Sequence, residues 1–206
     1  MVTIRLAVRD WDYFTPLALG DIRPQGFKLE VHRVATLVGD LANSEQYDAA
    51  EVSFSRFAQA RARGDFSLLA VPHFLMRGFR QRCIITTADS PLTSLDQLKG
   101  RKIGLTGWQD SGNTWTRTLL REAGVEIDDA YWFVGRLTGD HPIVDRLNGF
   151  GRPGRIEAAP GEHPLIDLLR AGELDAVFTP FMPEGFFLPD SGLRQLQTDF
   201  RQAELE

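Results

Sequence analysis

Residues 2–8 alternate roughly between apolar and polar side chains, the period of a half-buried strand, and the polar, aromatic loop Arg9-Asp10-Trp11-Asp12-Tyr13 follows. The same pattern predicts a short helix over 14–20 stopping at Gly20, a turn at Pro24-Gln25-Gly26, a strand over 27–34, and an amphipathic helix over 37–46. A strand over 48–52 leads through Ser53, placed as an N-cap, into a helix that stops at Gly64. Buried strands are expected over 68–72 and 82–87, one helical turn over 94–100, and a strand over 102–105. A loop over 107–112 precedes a helix over 114–123 that Gly124 closes, and 131–134 is a strand. Residues 135–161, rich in Gly and Pro, read as a long excursion before a helix over 164–171 and a strand over 175–179. Strands alternating with helices predict an α/β fold with mostly parallel sheets flanked by helices.

Two stretches resemble one another. Gln46-Tyr47-Asp48-Ala49-Ala50-Glu51-Val52-Ser53 and Glu173-Leu174-Asp175-Ala176-Val177-Phe178-Thr179 each run from an acidic or polar start through Asp-Ala and an apolar strand to a hydroxyl residue. Two related lobes would produce this, and so would chance likeness between short segments. The length of 206 residues fits one large domain or two small lobes, since single cores split beyond roughly 250 residues. The net charge of −5, with basic residues scattered among acidic ones, argues against a nucleic-acid partner. A single cysteine, Cys83, excludes an internal disulfide and a cysteine metal site. No segment has the ~20 apolar residues of a membrane helix.

Candidate chemistry gathers at two strand-to-helix junctions, Glu51-Val52-Ser53-Phe54-Ser55 and Gln109-Asp110-Ser111-Gly112-Asn113-Thr114. Free amides and the helix dipole favour anions there, and hydroxyl or amide side chains either hold a carboxylate or cap the helix. Arg77, Phe79, Arg80 and Arg82 form a basic, aromatic crossing, and an arginine grips a carboxylate in bidentate fashion. Trp11 and Trp108 are candidates to stack on a planar ligand, whereas Trp115 reads as core. Thr179 closes the last predicted strand with a hydroxyl. Glu51 reads as an acid or base of raised pKa, or equally as a salt-bridged carboxylate. His73 follows a predicted strand near the crossing; His32, His141 and His163 read as surface or loop residues. No histidine spacing suits a metal, no G-x-S-x-G marks a serine nucleophile, and no phosphate-loop lysine is present, so no metal or cofactor is expected.

Leu95-Asp96-Gln97-Leu98-Lys99-Gly100-Arg101-Lys102-Ile103-Gly104 resembles the entrance to the second lobe of type II solute-binding proteins. Leu168-Leu169-Arg170-Ala171-Gly172-Glu173-Leu174-Asp175-Ala176-Val177 resembles their helix-to-strand step. Asp10 to Tyr13, Asp48 to Ser55, Ala60 to Asp65, Arg77 to Arg80, Trp108 to Trp115 and Tyr131 to Gly135 are similar to the 4,5-dihydroxyphthalate decarboxylase-like branch of the type II periplasmic-binding-protein superfamily. The resemblance implies two lobes with mixed, mostly parallel sheets and a ligand cleft between them: a first lobe over 1–82, a second over 83–180, and a return segment toward the first over 181–206.

Members of that branch are longer. The resemblance therefore implies that the C-terminal part of the first lobe is short or missing, or is completed by a partner chain, for example in a homodimer through the incomplete lobe. The acidic, polar end over 197–206 reads as a helix or tail meant to continue. The implied activity is decarboxylation of a small, aromatic or otherwise unsaturated, carboxylic acid. Arg77 or Arg80 would hold a second carboxylate, Ser53, Ser111 and Asn113 would position the substrate, and Glu51 or His73 would handle the proton. Trp11, Ser55, Trp108 and Thr179 complete the expected binding set. The alternative is a non-catalytic solute-binding protein of an ABC transporter, or a small-acid sensor. The visible start suggests a cytoplasmic protein, and a removed leader would make it periplasmic.

Overall fold

The computed structural model describes residues 1–205 and divides into two compact units, residues 1–78 and 79–206. Glu206, the end of the expected tail, lies outside the described residues. In the first unit β1 (Thr3–Arg9) is the central strand, parallel to β2 (Lys28–Val34) on one side and to the two-residue β3 (Ala49–Ala50) on the other. Helices α1 (Thr15–Leu19) and α2 (Phe54–Ala62) follow β1 and β3, and α1 stops at Gly20, whose φ of 81° is left-handed.

The second unit holds six strands: β4 (Ile84–Thr87), β5 (Lys102–Leu105), β6 (Tyr131–Val134), β7 (Ile156–Ala158), β8 (Ala176–Phe178) and β9 (Leu193–Gln195). Their order is β7-β6-β5-β8-β4-β9. β7, β6, β5 and β8 run parallel, while β4 runs antiparallel to both β8 and β9. Helices α3 (Ser111–Glu122), α4 (Leu165–Arg170) and the short α5 (Phe200–Ala203) complete the chain. Two buried clusters fill this unit, one including Ile84, Ile103, Leu120, Trp132 and Phe178, the other Ile85, Leu165, Leu169 and Val177. A β-carbon at Gly104 would come within 2.9 Å of Leu174 Cδ1, so the small residue lets the second cluster press on β5.

The two Asp-Ala stretches perform the same task. Asp48 Oδ2 accepts the backbone N–H of Arg5 at 2.8 Å, and the Asp48 amide donates to Arg5 O at 2.9 Å. Asp175 Oδ2 accepts the backbone N–H of Lys102 at 2.9 Å, and its amide donates to Lys102 O at 2.8 Å. In each unit the aspartate stitches the start of one strand to its parallel neighbour.

Several expectations are corrected. Residues 37–46 form turns, because Asp40 accepts from Asn43 and Ser44 Oγ accepts from the amides of Gln46 and Tyr47; such local bonds compete with a helix. Residues 68–72 form no strand and are largely exposed. The long excursion over 135–161 contains β7. The two compact units divide after Gly78, and the amide of Gln81 bonds within the second unit. The stretch over 181–206 supplies β9 to the second sheet.

Candidate functional site

In the second unit β5 ends at Leu105 and the chain crosses Thr106–Asp110 before α3 begins. The crossing is tight: a β-carbon at Gly107 would lie 2.6 Å from Asp110 Oδ2. α3 starts at Ser111, earlier than expected, so Ser111 and Asn113 both sit in its first turn, at the positive end of the helix dipole. Arg80 comes to the same corner, with Nη1 lying 3.1 Å from where a β-carbon at Gly112 would stand. Its backbone is pinned: the amides of Arg80 and Gln81 donate to the Glu204 carboxylate at 2.7 and 2.5 Å. The Phe79 and Phe200 rings lie 5.6 Å apart beside it. Sequence and fold thus bring a guanidinium, two small residues and a helix start together.

Asn113 and Thr179 support this corner from inside. Asn113 is buried and donates from Nδ2 to Thr106 Oγ1 at 3.1 Å and Gly107 O at 2.9 Å. Thr179 is buried and donates to Phe181 O at 2.8 Å, beside Pro180, whose Cβ would meet a β-carbon at Gly112. Both side chains therefore hold loops in place.

Trp108, expected to stack on a ligand, is instead core. It is 7% exposed, meets Trp132 edge-on at 5.8 Å, and carries the Arg117 guanidinium 4.1 Å above its ring. A loop tryptophan is drawn inward here because a hydrogen bond ties its amide to Arg146 O and its carbonyl accepts from Arg117. Trp115, read as core, is 51% exposed on α3. An open hollow of about 310 Å³ is lined by Trp108, Ile127, Asp128, Phe150, Arg152 and Ile156, and it shares only Trp108 with the expected residues.

In the first unit Glu51 follows β3 and is buried. Burial pushes its carboxyl up, but the Arg9 side chain, the Arg9 amide and the Trp11 indole N–H all donate to it and together hold it below the usual carboxylate range. The expectation of a raised pKa is thereby reversed, and the salt-bridged reading describes the geometry. Trp11 stands between partners, with Arg9 4.8 Å above its ring and Tyr13 stacked at 6.2 Å. Ser53 has extended backbone at the start of α2, and its Oγ lies 3.3 Å from the Oγ of buried Ser55. Arg77 is exposed and donates from Nε to Phe74 O at 3.1 Å; His73 is exposed on the segment that forms no strand. Among the described residues, no cluster of three or more His, Cys, Asp or Glu is arranged to hold a metal, and no helix is long and apolar enough to cross a membrane.

Residues 24–143 match the family described as ABC transporter, phosphonate, periplasmic substrate-binding protein. The chain belongs to this family. Among curated proteins it is similar to a 4,5-dihydroxyphthalate decarboxylase of Comamonas testosteroni, at 28% identity over 98% of this chain and 62% of the relative. It is also similar to a 4,5-dihydroxyphthalate decarboxylase of Pseudomonas putida, at 33% identity over 68% of this chain and 55% of the relative. It thus resembles the 4,5-dihydroxyphthalate decarboxylase-like branch of the type II periplasmic-binding-protein superfamily, and spans 62% and 55% of these two relatives. The periplasmic aliphatic sulphonate binding protein SsuA of Escherichia coli shares the fold, with a TM-score of 0.57, 15% identity, and coverage of 98% of this chain and 62% of that one.

For this member of the substrate-binding family, residue patterns pointed to Arg80 and Ser111 but not to their supports. Arg9, Arg117 and Glu204 were missed. Burial pushes the Arg117 guanidinium down to about 10 against the pull of Asp110. Only the coincidence of an aromatic loop with an arginine nearly two turns into α3 could have flagged that pair. Arg9 and Glu51 lie 42 residues apart and meet only through the parallel register of β1 and β3.

Proposed function

We propose that this chain binds a small organic acid through Arg80 and the first turn of α3, and that it acts as a decarboxylase-like carbon–carbon lyase on an aromatic or unsaturated carboxylic acid. One observation carries the reading: the Arg80 guanidinium rests against the start of a twelve-residue helix at a glycine, in a chain of net charge −5. A guanidinium offers paired donors to a carboxylate, and the helix start adds dipole and amides. The names of the two curated relatives support the acid and the reaction.

Decarboxylation breaks the carbon–carboxylate bond, releases CO₂, and leaves an electron pair that a hydroxylated ring can delocalise before carbon takes a proton. The protein's part is to hold a second carboxylate, turn the leaving one out of the ring plane, and deliver that proton. Arg80 fits the first task, with Ser111 beside it. On the first unit, Trp11, Ser53, Ser55 and Arg77 are proposed by themselves as ligand-contacting residues, and in the second unit Asn113 and Thr179 act by holding the loops. Glu51 is engaged by Arg9 and Trp11, which favours His73 as the proton carrier.

The second reading, a solute-binding protein without chemistry, is favoured by the family description and by the likeness to SsuA. One experiment separates them. Purified protein is offered a panel of aromatic and aliphatic dicarboxylates, phosphonates and sulphonates, with CO₂ release and thermal shift both measured. CO₂ from a hydroxylated phthalate supports the lyase. A raised melting temperature without CO₂ supports the binding protein. An Arg80→Ala variant that binds the hit as tightly as wild type removes the anion site from either reading.

A further inference from the structure

Two grips from α5 bracket Arg80. Glu204 stands at the C-terminal end of α5, and its carboxylate accepts the Arg80 amide with both oxygens, at 2.7 and 2.8 Å, and the Gln81 amide at 2.5 Å. The Phe200 ring lies 5.6 Å from that of Phe79, the residue before Arg80. On its other side the turn is fixed to the sheet. The Cys83 amide donates to Arg80 O at 2.9 Å, and the Thr179 amide, just past β8, donates to Cys83 O at 3.0 Å. The backbone of Arg80 thus has both its amide and its carbonyl engaged, while its guanidinium stands at Gly112 in the first turn of α3. α5 itself spans four residues and buries none of them. A helix that short does not hold alone, so it keeps its shape by docking.

We propose that Glu204 is the positioning residue of the acid site: it touches no ligand, and it acts by fixing the Arg80 backbone so that the guanidinium stays at the start of α3. This role rests on the proposed reading of Arg80 as the acid-binding residue. An arginine side chain has many rotamers, and fixing its root removes part of the freedom that binding must otherwise freeze. A carboxylate suits the task, because its bonds to amides are charge-assisted and stronger than neutral ones. As a charge, the same carboxylate works against the site by repelling an incoming anion. That repulsion is softened by water, since Glu204 is only half-buried, whereas the geometry it imposes is not screened. Positioning is therefore the larger effect. By linkage, an acid bound at Arg80 favours docked α5 by the same factor that docked α5 favours the acid.

The test titrates the full chain with 4,5-dihydroxyphthalate, phthalate and phenylphosphonate. Glu204→Ala removes both acceptor and charge; Glu204→Gln removes the charge and keeps one acceptor oxygen. Glu204→Ala is expected to bind the tightest of the three acids about tenfold more weakly, with unchanged circular dichroism, and Glu204→Gln to stay within about threefold of wild type. Adding Glu204→Ala to Arg80→Ala is expected to weaken binding no further, because both act through one guanidinium. With no acid present, Cys83 is expected to react with a disulfide reagent about tenfold faster in Glu204→Ala than in wild type, since the turn that buries it has lost its tie to α5. Labelling at the wild-type rate in that variant overturns the role without reference to any ligand. Losses that add in the double variant overturn it too. A wild-type chain that binds none of the three acids overturns the proposed function, and this role with it. A wild-type chain that binds, matched or exceeded in affinity by Glu204→Ala, overturns the role alone.

Discussion

Arg80 Nη1 lies 3.1 Å from the point a β-carbon would occupy at Gly112, with Pro180 Cβ 3.4 Å from the same point. A methyl group there cannot coexist with the guanidinium where it now stands, but the end of an arginine side chain moves readily. Gly112→Ala therefore leaves the fold intact, with stability within about 1 kcal/mol of wild type because alanine also favours the helix. It displaces the Arg80 guanidinium from its present seat at the start of α3 by a few tenths of an ångström. Affinity for an acid ligand is expected to fall about tenfold, equivalent to ~1.4 kcal/mol. Isothermal titration with the best-binding acid, alongside thermal melts, separates the two effects. A Gly112→Ala protein that keeps full affinity would show that the guanidinium's position is immaterial.

Glu51 is expected to behave as a structural carboxylate. Glu51→Ala removes the acceptor of the Arg9 side chain, the Arg9 amide and the Trp11 indole. The loss is about 1–3 kcal/mol, toward the lower end because Arg9 reaches water. Glu51→Gln keeps one acceptor oxygen and loses less. If CO₂ release is established, both variants should retain its pH profile per folded molecule. A profile that loses one limb in Glu51→Gln would instead make Glu51 the proton carrier.

How far the sequence foretold this arrangement depends on where each segment finds its partners. Lys102–Leu105 and Tyr131–Val134 form strands over the ranges their apolar patterns indicate, since Ile103, Leu105, Trp132 and Val134 are all buried in one core. Leu68–Pro72 carries equal strand propensity, yet a strand exists only beside another, and none is there. Leu37 and Leu41 have helical spacing, but Asp40 and Ser44 turn the backbone first. At the site, Arg80 and Ser111 were legible because a cation and a helix start advertise themselves locally. The inward turn of Trp108 was not, because it depends on Arg117 and Arg146, which approach it from other segments.

The Arg5–Asp48 pair should give stability a defined acid limit. The Asp48 carboxyl is drawn down to about 2, first by the Arg5 side chain and then by the Arg5 amide. An unfolded aspartate titrates near ~3.9. A carboxyl whose pKa is lower when folded contributes fully above the unfolded value and loses that contribution as pH falls through the folded one. Stabilisation by this pair is therefore complete at neutral pH and fades between pH ~4 and ~2. Glu51, also held low, acts in the same sense. Asp48→Asn should melt below wild type at pH 7, and the gap should close toward pH 2–3 (roughly the range set by those two values). A gap that stays constant with pH would assign the effect to packing.

Cys83 reports on the same turn that holds Arg80. Its thiol is 2% exposed and donates to Phe79 O at 3.7 Å, while its amide donates to Arg80 O at 2.9 Å. Burial pushes the thiol up, and the pull of Arg80 and Arg82 in the other direction is smaller. Only thiolate reacts with a disulfide reagent, so labelling of native protein near pH 8 requires the turn to open. The native rate should be at least a hundredfold below that in denaturant. An acid bound at Arg80 stabilises the closed turn by RT ln(1 + L/Kd), where L is the free acid concentration, lowering the open fraction by the factor 1 + L/Kd. Labelling should slow further as the acid is added, and Arg80→Ala should abolish that slowing while leaving the labelling rate in denaturant unchanged. Slowing that survives in Arg80→Ala would place the acid elsewhere on the protein.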